Sequence, residues 1–577
     1  MAMDRVESLP GLASFADVLR YRAAVQPQDR AYVALSERGS QEAVLTFAEL
    51  ERRAADVAAR LAARLRQGDR VLLVFPAGLD FMVAFLGCLM AGVIAVPMMV
   101  PRRASTHDSS AAIVADCQPP LAMTTADLAA VRPDVIQRYR DAGLDWLLLG
   151  DDTVASGAGA PIPPPGRDDV AFLQYTSGST SSPKGVIVRH RNLLENLEMI
   201  RLALRGTRAS TIVSWVPLYH DMGLILNALH SLYVGALCVL MPPVNFIRRP
   251  LAWLQAIHTY RAEVTTAPNF AFDMCVSRFR AEQMEDVDLS CWKLAMNAAE
   301  PVRADTMARF AATFAPYGFD ARATYPAYGL AEATVMVSGG RRGDGPVLRS
   351  ISRGAIQNYQ IADPAGERDV RVVVGCGRSL AGESIAIVHP ESRRRLAGEH
   401  IGEVWVAGPN VAGGYWRNEE ASASVFGARI EGEDGEVWMR TGDLGFLDAE
   451  GELFITGRIK DIIIIRGMNH YPQDIEDSMQ DSHPALRRHC GAAFTIVDEH
   501  NEERLILVQE VERTARHQIS TEDIAGCIRE AVFNEHEIAI HKVVLIPPGA
   551  IPKTTSGKIQ RGLTRKLWQE GRLEVLG

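Results

Sequence analysis

Two periodicities of apolar and polar positions alternate along the first 340 residues. TFAELERRAADVAARLAARL, from Thr46, places apolar residues every three to four positions and predicts an amphipathic helix. RVLLVF, from Arg70, is a short apolar run that predicts a buried strand. TIVSWVP, ALCVLMP and EVTTAP, from Thr211, Ala236 and Glu263, repeat that texture. Helices alternating with such strands predict parallel sheets covered by helices. Between about 370 and 457 the pattern changes to ESIAIVHP, GEVWVAG and GELFITG, short strands that predict an all-β subdomain closed by turns. At Gly457 the charged GRIKD precedes an apolar IIII, which predicts a domain boundary, and a mixed tail of helices and strands runs from about 470 to 577.

The longest uncharged run, FMVAFLGCLMAGVIAVPMMV from Phe81 to Val100, is long enough to span a bilayer. Gly92 divides it into a helix-like half and a β-branched half, so the expected reading is a buried helix entering a buried strand. Composition adds bounds. A chain of 577 residues exceeds a single core and predicts at least two domains. Its net charge of -9 argues against a general nucleic-acid binder. The eight cysteines are scattered singly with no CxxC pair, which fits reduced thiols. The opening MAMDRVESLPGLASF has no signal-peptide pattern, and the expected location is cytoplasmic.

Candidate chemistry concentrates in five stretches. QYTSGSTSSPKGV, from Gln174, lies between the strand-like DDVAFL and a helical IVRHRNLLENLEMI. Glycines let a backbone approach an anion, hydroxyls and N–H groups donate to it, and Lys184 adds charge, so the stretch predicts a phosphate cradle, with a plain Ser/Gly-rich surface turn as the alternative. It does not match the Walker pattern GxxxxGK[ST]. Downstream, YGLAEAT carries Glu332, RTGDLG places Asp443 in a turn, GRIKD offers Arg458 and Lys460, and PKTTSGKIQR offers Lys558 on another flexible loop. HEIAIH, from His536, lacks the HExxH spacing of a zinc site, and VVVGCGRS is no dinucleotide fingerprint.

In this order and spacing the five stretches resemble the adenylate-forming superfamily, which contains acyl-CoA synthetases, luciferases and adenylation domains. The resemblance covers about residues 15 to 570. It implies an α/β fold: a large N-terminal domain (1–458) of two parallel α/β subdomains plus a small β-barrel, then a small mobile α+β C-terminal domain (459–577) carrying the catalytic lysine. It also implies roles. Thr176, Ser177, Gly178, Ser179, Thr180 and Lys184 belong to the loop around ATP's β- and γ-phosphates. Ala298, Ala299 and Glu300, in NAAEPV, line the adenine pocket, with Ala298 standing where a glycine is more usual; Tyr328 and Gly329 also contact ATP. Glu332 is the Mg²⁺ ligand with Thr180 beside it, Asp443 accepts the ribose hydroxyls next to Arg458, and Lys460 is the hinge. Lys558 bridges the carboxylate and the α-phosphate, a task suited to a compact ammonium on a long stem.

Further stretches are similar to the fatty acyl-AMP ligase branch. These are SWVPLYHDMGLI, APNFAFDMCVSR, the N-x-Y-P form of GMNHYPQDIE, and an extra segment of about 341 to 378 ending in CGR; VPMMVPRR, from Val96, departs from the branch. The branch implies activation of a fatty acid with ATP and Mg²⁺, with transfer to an acyl carrier protein in trans, no nucleic acid and no membrane span. His220 matches a gate between the nucleotide and acyl pockets, and Trp215, Met222, Phe270 and Phe272 are candidates to line the latter. The extra segment is expected to restrain the C-terminal domain and disfavour coenzyme A. Clustered bases at Arg487, Arg488, Lys553, Arg561, Arg565 and Lys566 form a candidate docking patch for an acidic carrier. The alternatives are an acyl-CoA synthetase using the same residues, adenylation of an amino acid (Asp221 falls where such enzymes hold an acid), and a non-catalytic sensor.

Overall fold

The computed structural model describes residues 9, 11–101, 110–150, 163–176, 183–398, 400–465, 468–498, 503–515, 520–554 and 557–576. One sheet of six strands runs in the order Asp145–Leu149, Leu121–Thr125, Arg70–Val74, Ile94–Met98, Val170–Thr176 and Lys184–Arg189. All pair in parallel except the last, which returns antiparallel on Val170–Thr176. A second sheet of nine strands has six parallel strands at its centre and antiparallel strands at its edges.

Local chemistry explains the helices that cover these sheets. Thr46 opens Phe47–Ala62 with a capping box: its hydroxyl accepts from the Glu49 N–H at 3.2 Å, and its own N–H donates to the Glu49 carboxylate at 2.9 Å. The helix buries Leu50, Ala54, Val57 and Leu61 against Leu79–Met90. A Cβ on Gly87 would come within 2.5 Å of the Val57 side chain, so this glycine sets how closely the two helices approach. The apolar run from Phe81 resolves as expected, into the helix Leu79–Met90 and the strand Ile94–Met98, with Gly92 between them at φ +67°. No helix among the described residues is long and apolar enough to cross a membrane.

The all-β region contains a four-stranded antiparallel sheet, Ser384–Val388, Gly402–Ala407, Met439–Leu447 and Leu453–Arg458. The preceding extra segment folds as a ribbon of Leu348–Ser352 and Val370–Val374 with the short helix Arg353–Gln357 between them. Its Ile351, Ile356 and Val373 share one buried cluster with Leu444, Phe446, Phe454 and, from farther along the chain, Tyr471.

The last sheet, Leu486–Val497, Glu503–Val511 and Ile540–Ile546, is buried on both faces. Leu505 and Leu507 point to one cluster with the helices Pro472–Asp481 and Thr521–His536, while Ile506 and Val508 point to another beneath Ile551. That is the period-two division of a strand covered on both sides.

Candidate active site

The strands that flank the expected phosphate loop pair antiparallel with each other. Thr176 pairs with Lys184 at the loop end of that pair, and the helix His190–Leu204 follows the second strand. Ser177, Gly178, Ser179 and Thr180 lie outside the described residues. The Lys184 ammonium stands 4.7 Å from the centre of the Tyr415 ring, a cation–π contact. Tyr415 in turn donates its O–H to Glu332 Oε1 at 2.8 Å. The cradle lysine and the expected metal ligand, 148 positions apart in sequence, are thus joined by one tyrosine.

Glu332 lies in a 3-10 turn, Ala331–Ala333, just beyond the strand Thr324–Tyr328. Gly329 between them is obligatory on steric grounds, since a Cβ there would stand 1.8 Å from the Val335 carbonyl oxygen. Tyr328 donates its O–H to Asp443 Oδ2 at 2.7 Å, and Arg458 Nε donates to Asp443 Oδ1 at 2.7 Å. Burial and then the Asp443 charge push the Tyr328 phenol well above its ordinary range, while Asp443 foremost holds Arg458 cationic. Asp443 is buried, with each oxygen already oriented by one donor.

Lys558 enters from the last domain. It is half-buried, and its electrostatic neighbours are Arg458, Asp221, Glu300 and Asp443. Burial and then Arg458 lower its pKa, and the three acids oppose them. Gly557 beside it has φ +88°, and a Cβ there would approach the Phe270 ring to 2.7 Å. Phe270 donates its N–H to Glu300 Oε1 at 2.6 Å, and burial raises the pKa of that acid. In the adenine segment Ala298 is buried and the left-handed residue is its neighbour Ala299, at φ +72°. The lysine's domain is seated by an ion pair of Arg303 with Asp477 and by His489 Nε2 at 2.7 Å from Asp273 Oδ2. Sequence reading missed these pairs, because each partner is an ordinary charge until the chain folds.

His220 and Asp221 stand at the mouth of a π-helix, Met222–Leu229. His220 Nδ1 lies 3.5 Å from Asp221 Oδ1, which also accepts the Met222 N–H at 2.7 Å. Burial works against the Asp221 carboxylate, and these contacts outweigh it and lower its pKa. Trp215 stacks on Phe246 with ring centres 3.8 Å apart and meets Phe270 edge-on at 5.9 Å, while Met222 is buried in the same cluster. Phe272, two residues after Phe270 on the helix Asn269–Ser277, points elsewhere, into a stack with Trp253, Trp292 and Phe310.

Lys460 is exposed on the turn Ile459–Asp461. Just beyond it, the N-x-Y-P motif meets the extra segment. Asn469 Nδ2 donates to the Gln357 carbonyl at 2.9 Å, the Arg371 guanidinium stands 4.8 Å from the Tyr471 ring centre, and Arg371 pairs with Asp474 at 3.1 Å. Much of the expected basic docking patch is engaged internally: Arg487 with Glu510, Arg488 with Asp481, and Arg561 with Glu476 and Asp461.

This geometry has counterparts. A model of the AMP-binding enzyme family matches residues 19–416, and one described as "Disco-interacting protein 2-like, AMP domain" matches residues 460–577. The chain is 42% identical to the medium-chain-fatty-acid–[acyl-carrier-protein] ligase JamA of Moorena producens, over 98% of this chain and 97% of that one. It is 35% identical to the putative fatty-acid–CoA ligase fadD25 of Mycobacterium tuberculosis, covering 98% of each. The crystal structure of a fatty acyl-adenylate ligase from L. pneumophila, in complex with acyl adenylate and pyrophosphate, superposes with a TM-score of 0.75 at 37% identity, covering 98% of each chain.

Proposed function

The chain belongs to the AMP-binding enzyme family, and on that premise we propose that it is a fatty acyl-AMP ligase, which activates a fatty acid with ATP and passes the acyl group to the phosphopantetheine thiol of an acyl carrier protein in trans. The observation that carries this reading is the convergence on Lys558. Its electrostatic neighbours are Arg458, Asp221, Glu300 and Asp443, and the Phe270 ring, which meets Trp215 edge-on, packs beside the adjoining Gly557.

A fatty carboxylate and a triphosphate repel each other, so positive charge has to be placed between them. Lys558 supplies it where the carboxylate oxygen attacks the α-phosphorus. The bond to the bridging oxygen breaks and pyrophosphate leaves, with Lys184 on its side of the site. Asp443, held by Tyr328 and Arg458, accepts the ribose hydroxyls and fixes the nucleotide for in-line attack. In the second step the carrier thiolate attacks the acyl carbonyl carbon and AMP departs. On this reading His220 and Asp221 separate the nucleotide and acyl pockets, and Trp215, Met222 and Phe270 line the acyl side, with Phe246 stacked behind Trp215.

Mg²⁺ fits Glu332. The described residues contain no cluster of three metal-ligating side chains, and a lone carboxylate beside a phosphate cradle suits an ion held largely by the nucleotide. When bound, the ion would offset phosphate charge. Residues 459–577 act as the mobile unit hinged at Lys460, and the contacts of Asn469 and Arg371 are the restraint that disfavours coenzyme A. The relative named as a CoA ligase keeps the synthetase reading as the rival.

Incubation with ATP, Mg²⁺ and a panel of fatty acids, with and without coenzyme A, tests the choice by mass spectrometry. Acyl-AMP that persists with coenzyme A present and is consumed by holo-carrier protein is the expected result. Efficient acyl-CoA formation would overturn the ligase reading in favour of a synthetase.

A further inference from the structure

A buried acid outside the nucleotide contacts lies behind the Glu332 turn. Glu383, at the start of the antiparallel sheet, accepts the Asn410 Nδ2–H at 2.7 Å and the Leu380 N–H at 3.0 Å. Asn410 is fully buried, and a Cβ on Gly408 would come within 2.7 Å of both its amide oxygen and Glu383 Cβ, so the pair is closely packed. Asn410 reaches the turn twice. Its carbonyl accepts the Thr334 hydroxyl at 2.6 Å, and its amide lies 3.4 Å from the Ala333 carbonyl oxygen.

The turn needs holding. Thr334 has φ +69° and ψ -65°, and the Val335 N–H donates to the Ala333 carbonyl at 2.8 Å, which makes a γ-turn centred on a β-branched residue. That conformation is strained and persists only where its surroundings over-determine it. The loop that carries Asn410 also contacts Glu332 directly: the Ala412 N–H donates to the Glu332 carbonyl at 2.9 Å, and Tyr415 bonds its carboxylate. Asn192, on the helix after the phosphate cradle, donates to the Pro409 and Val411 carbonyls at 2.8 Å each and secures the other side of that loop.

We propose that Glu383, acting through Asn410, is a positioning residue that holds the strained turn and so aims the Glu332 carboxylate at the metal and phosphates. The inference rests on the reading of Glu332 given above. Burial raises the Glu383 pKa to about 8, so at neutral pH the side chain is largely the uncharged acid and can sit beside Asn410 without a buried charge.

Calorimetric titration of ATP without fatty acid, in EDTA and at stepped Mg²⁺ concentrations, tests this in the full chain, with thermal melting and steady-state kinetics in parallel. Glu383→Ala is expected to lose about five-fold of the Mg²⁺-dependent gain in ATP affinity while binding ATP in EDTA like the wild type. Glu383→Met fills the site without an acceptor, so it separates positioning from cavity formation and should reproduce that loss. Glu383→Gln, which offers an amide to Asn410, should restore most of it. A lowered melting temperature with a wild-type Mg²⁺ response in both Ala and Met variants would overturn the proposal. Glu332→Gln is the control: a wild-type response there would remove the underlying reading of Glu332 whatever the Glu383 variants do.

Discussion

Tyr415 donates its hydroxyl to Glu332 at 2.8 Å while its ring lies 4.7 Å from the Lys184 ammonium. One side chain therefore orients the acid and the base expected to share ATP's terminal phosphates. A hydrogen bond to a charged group is worth about 1.5–3 kcal/mol. Tyr415→Phe keeps the ring and loses that bond, so KM for MgATP should rise about ten-fold with KM for the fatty acid unchanged. An unchanged KM for MgATP in initial-rate measurements would remove Tyr415 from the site.

Lys558→Ala should abolish adenylate formation, lowering the rate by about 100-fold or more, while ATP still binds through Asp443, Arg458 and the cradle. Lys558→Arg should recover little, since a planar fork cannot replace a point charge in a pocket shared with Asp221 and Glu300. Pyrophosphate release and nucleotide titration separate the two quantities.

Asn469 and Arg371 tie the last domain to the extra segment. The double variant Arg371→Ala, Asn469→Ala is expected to form acyl-CoA several-fold faster than the parent while making acyl-AMP at the parental rate. Both products can be followed in one mass-spectrometric time course. Unaltered rejection of coenzyme A would mean that these contacts are not the restraint.

His190, His230 and His470 are buried, and burial foremost lowers the pKa of each to about 4. Their unfolded values lie near 6.5. Between those limits the unfolded chain binds more protons, so stability should fall as pH drops from about 6.5 toward 4. Glu383, raised to about 8, acts in the opposite sense, and its contribution is lost as pH rises from about 4.5 through 8. Melting temperature against pH should therefore drop steeply on the acid side, and His230→Leu should flatten that limb. A limb unchanged by the substitution would assign the acid lability to other groups.

Gly329→Ala should cost both activity and stability. Its Cβ would collide with the Val335 carbonyl at 1.8 Å, and the cheapest relief displaces the turn that carries Glu332. A loss of adenylation together with a lowered melting temperature is expected, and full activity would contradict the steric argument.

Much of this protein is written in local order. The strand before QYTSGSTSSPKGV and the helix after it, the break at Gly92 inside the apolar run, and the change of texture near residue 370 follow from periodicity and from glycine's backbone freedom, which neighbouring residues alone determine. Lys558, Glu332, Asp443, Arg458 and Lys184 stand in five short stretches whose order and spacing carry the family resemblance, and that resemblance implies their roles.

What the sequence did not carry is pairing across distance. Tyr415 stands beside two glycines like many turn aromatics, and nothing near it in sequence announces Glu332, 83 positions earlier. Asn410 and Glu383 read as a loop amide and a strand acid until burial makes each depend on the other. Phe270 and Phe272 look alike in APNFAFDMCVSR, but the helical rotation between them sends one to Lys558's loop and the other into a stack of core rings. The bases at Arg487, Arg488 and Arg561 suggest an open patch by count, whereas folding brings acids to each. Composition sets which groups a chain owns; only packing decides which of them meet, because a contact's energy depends on a distance and a dielectric that exist once the chain is folded.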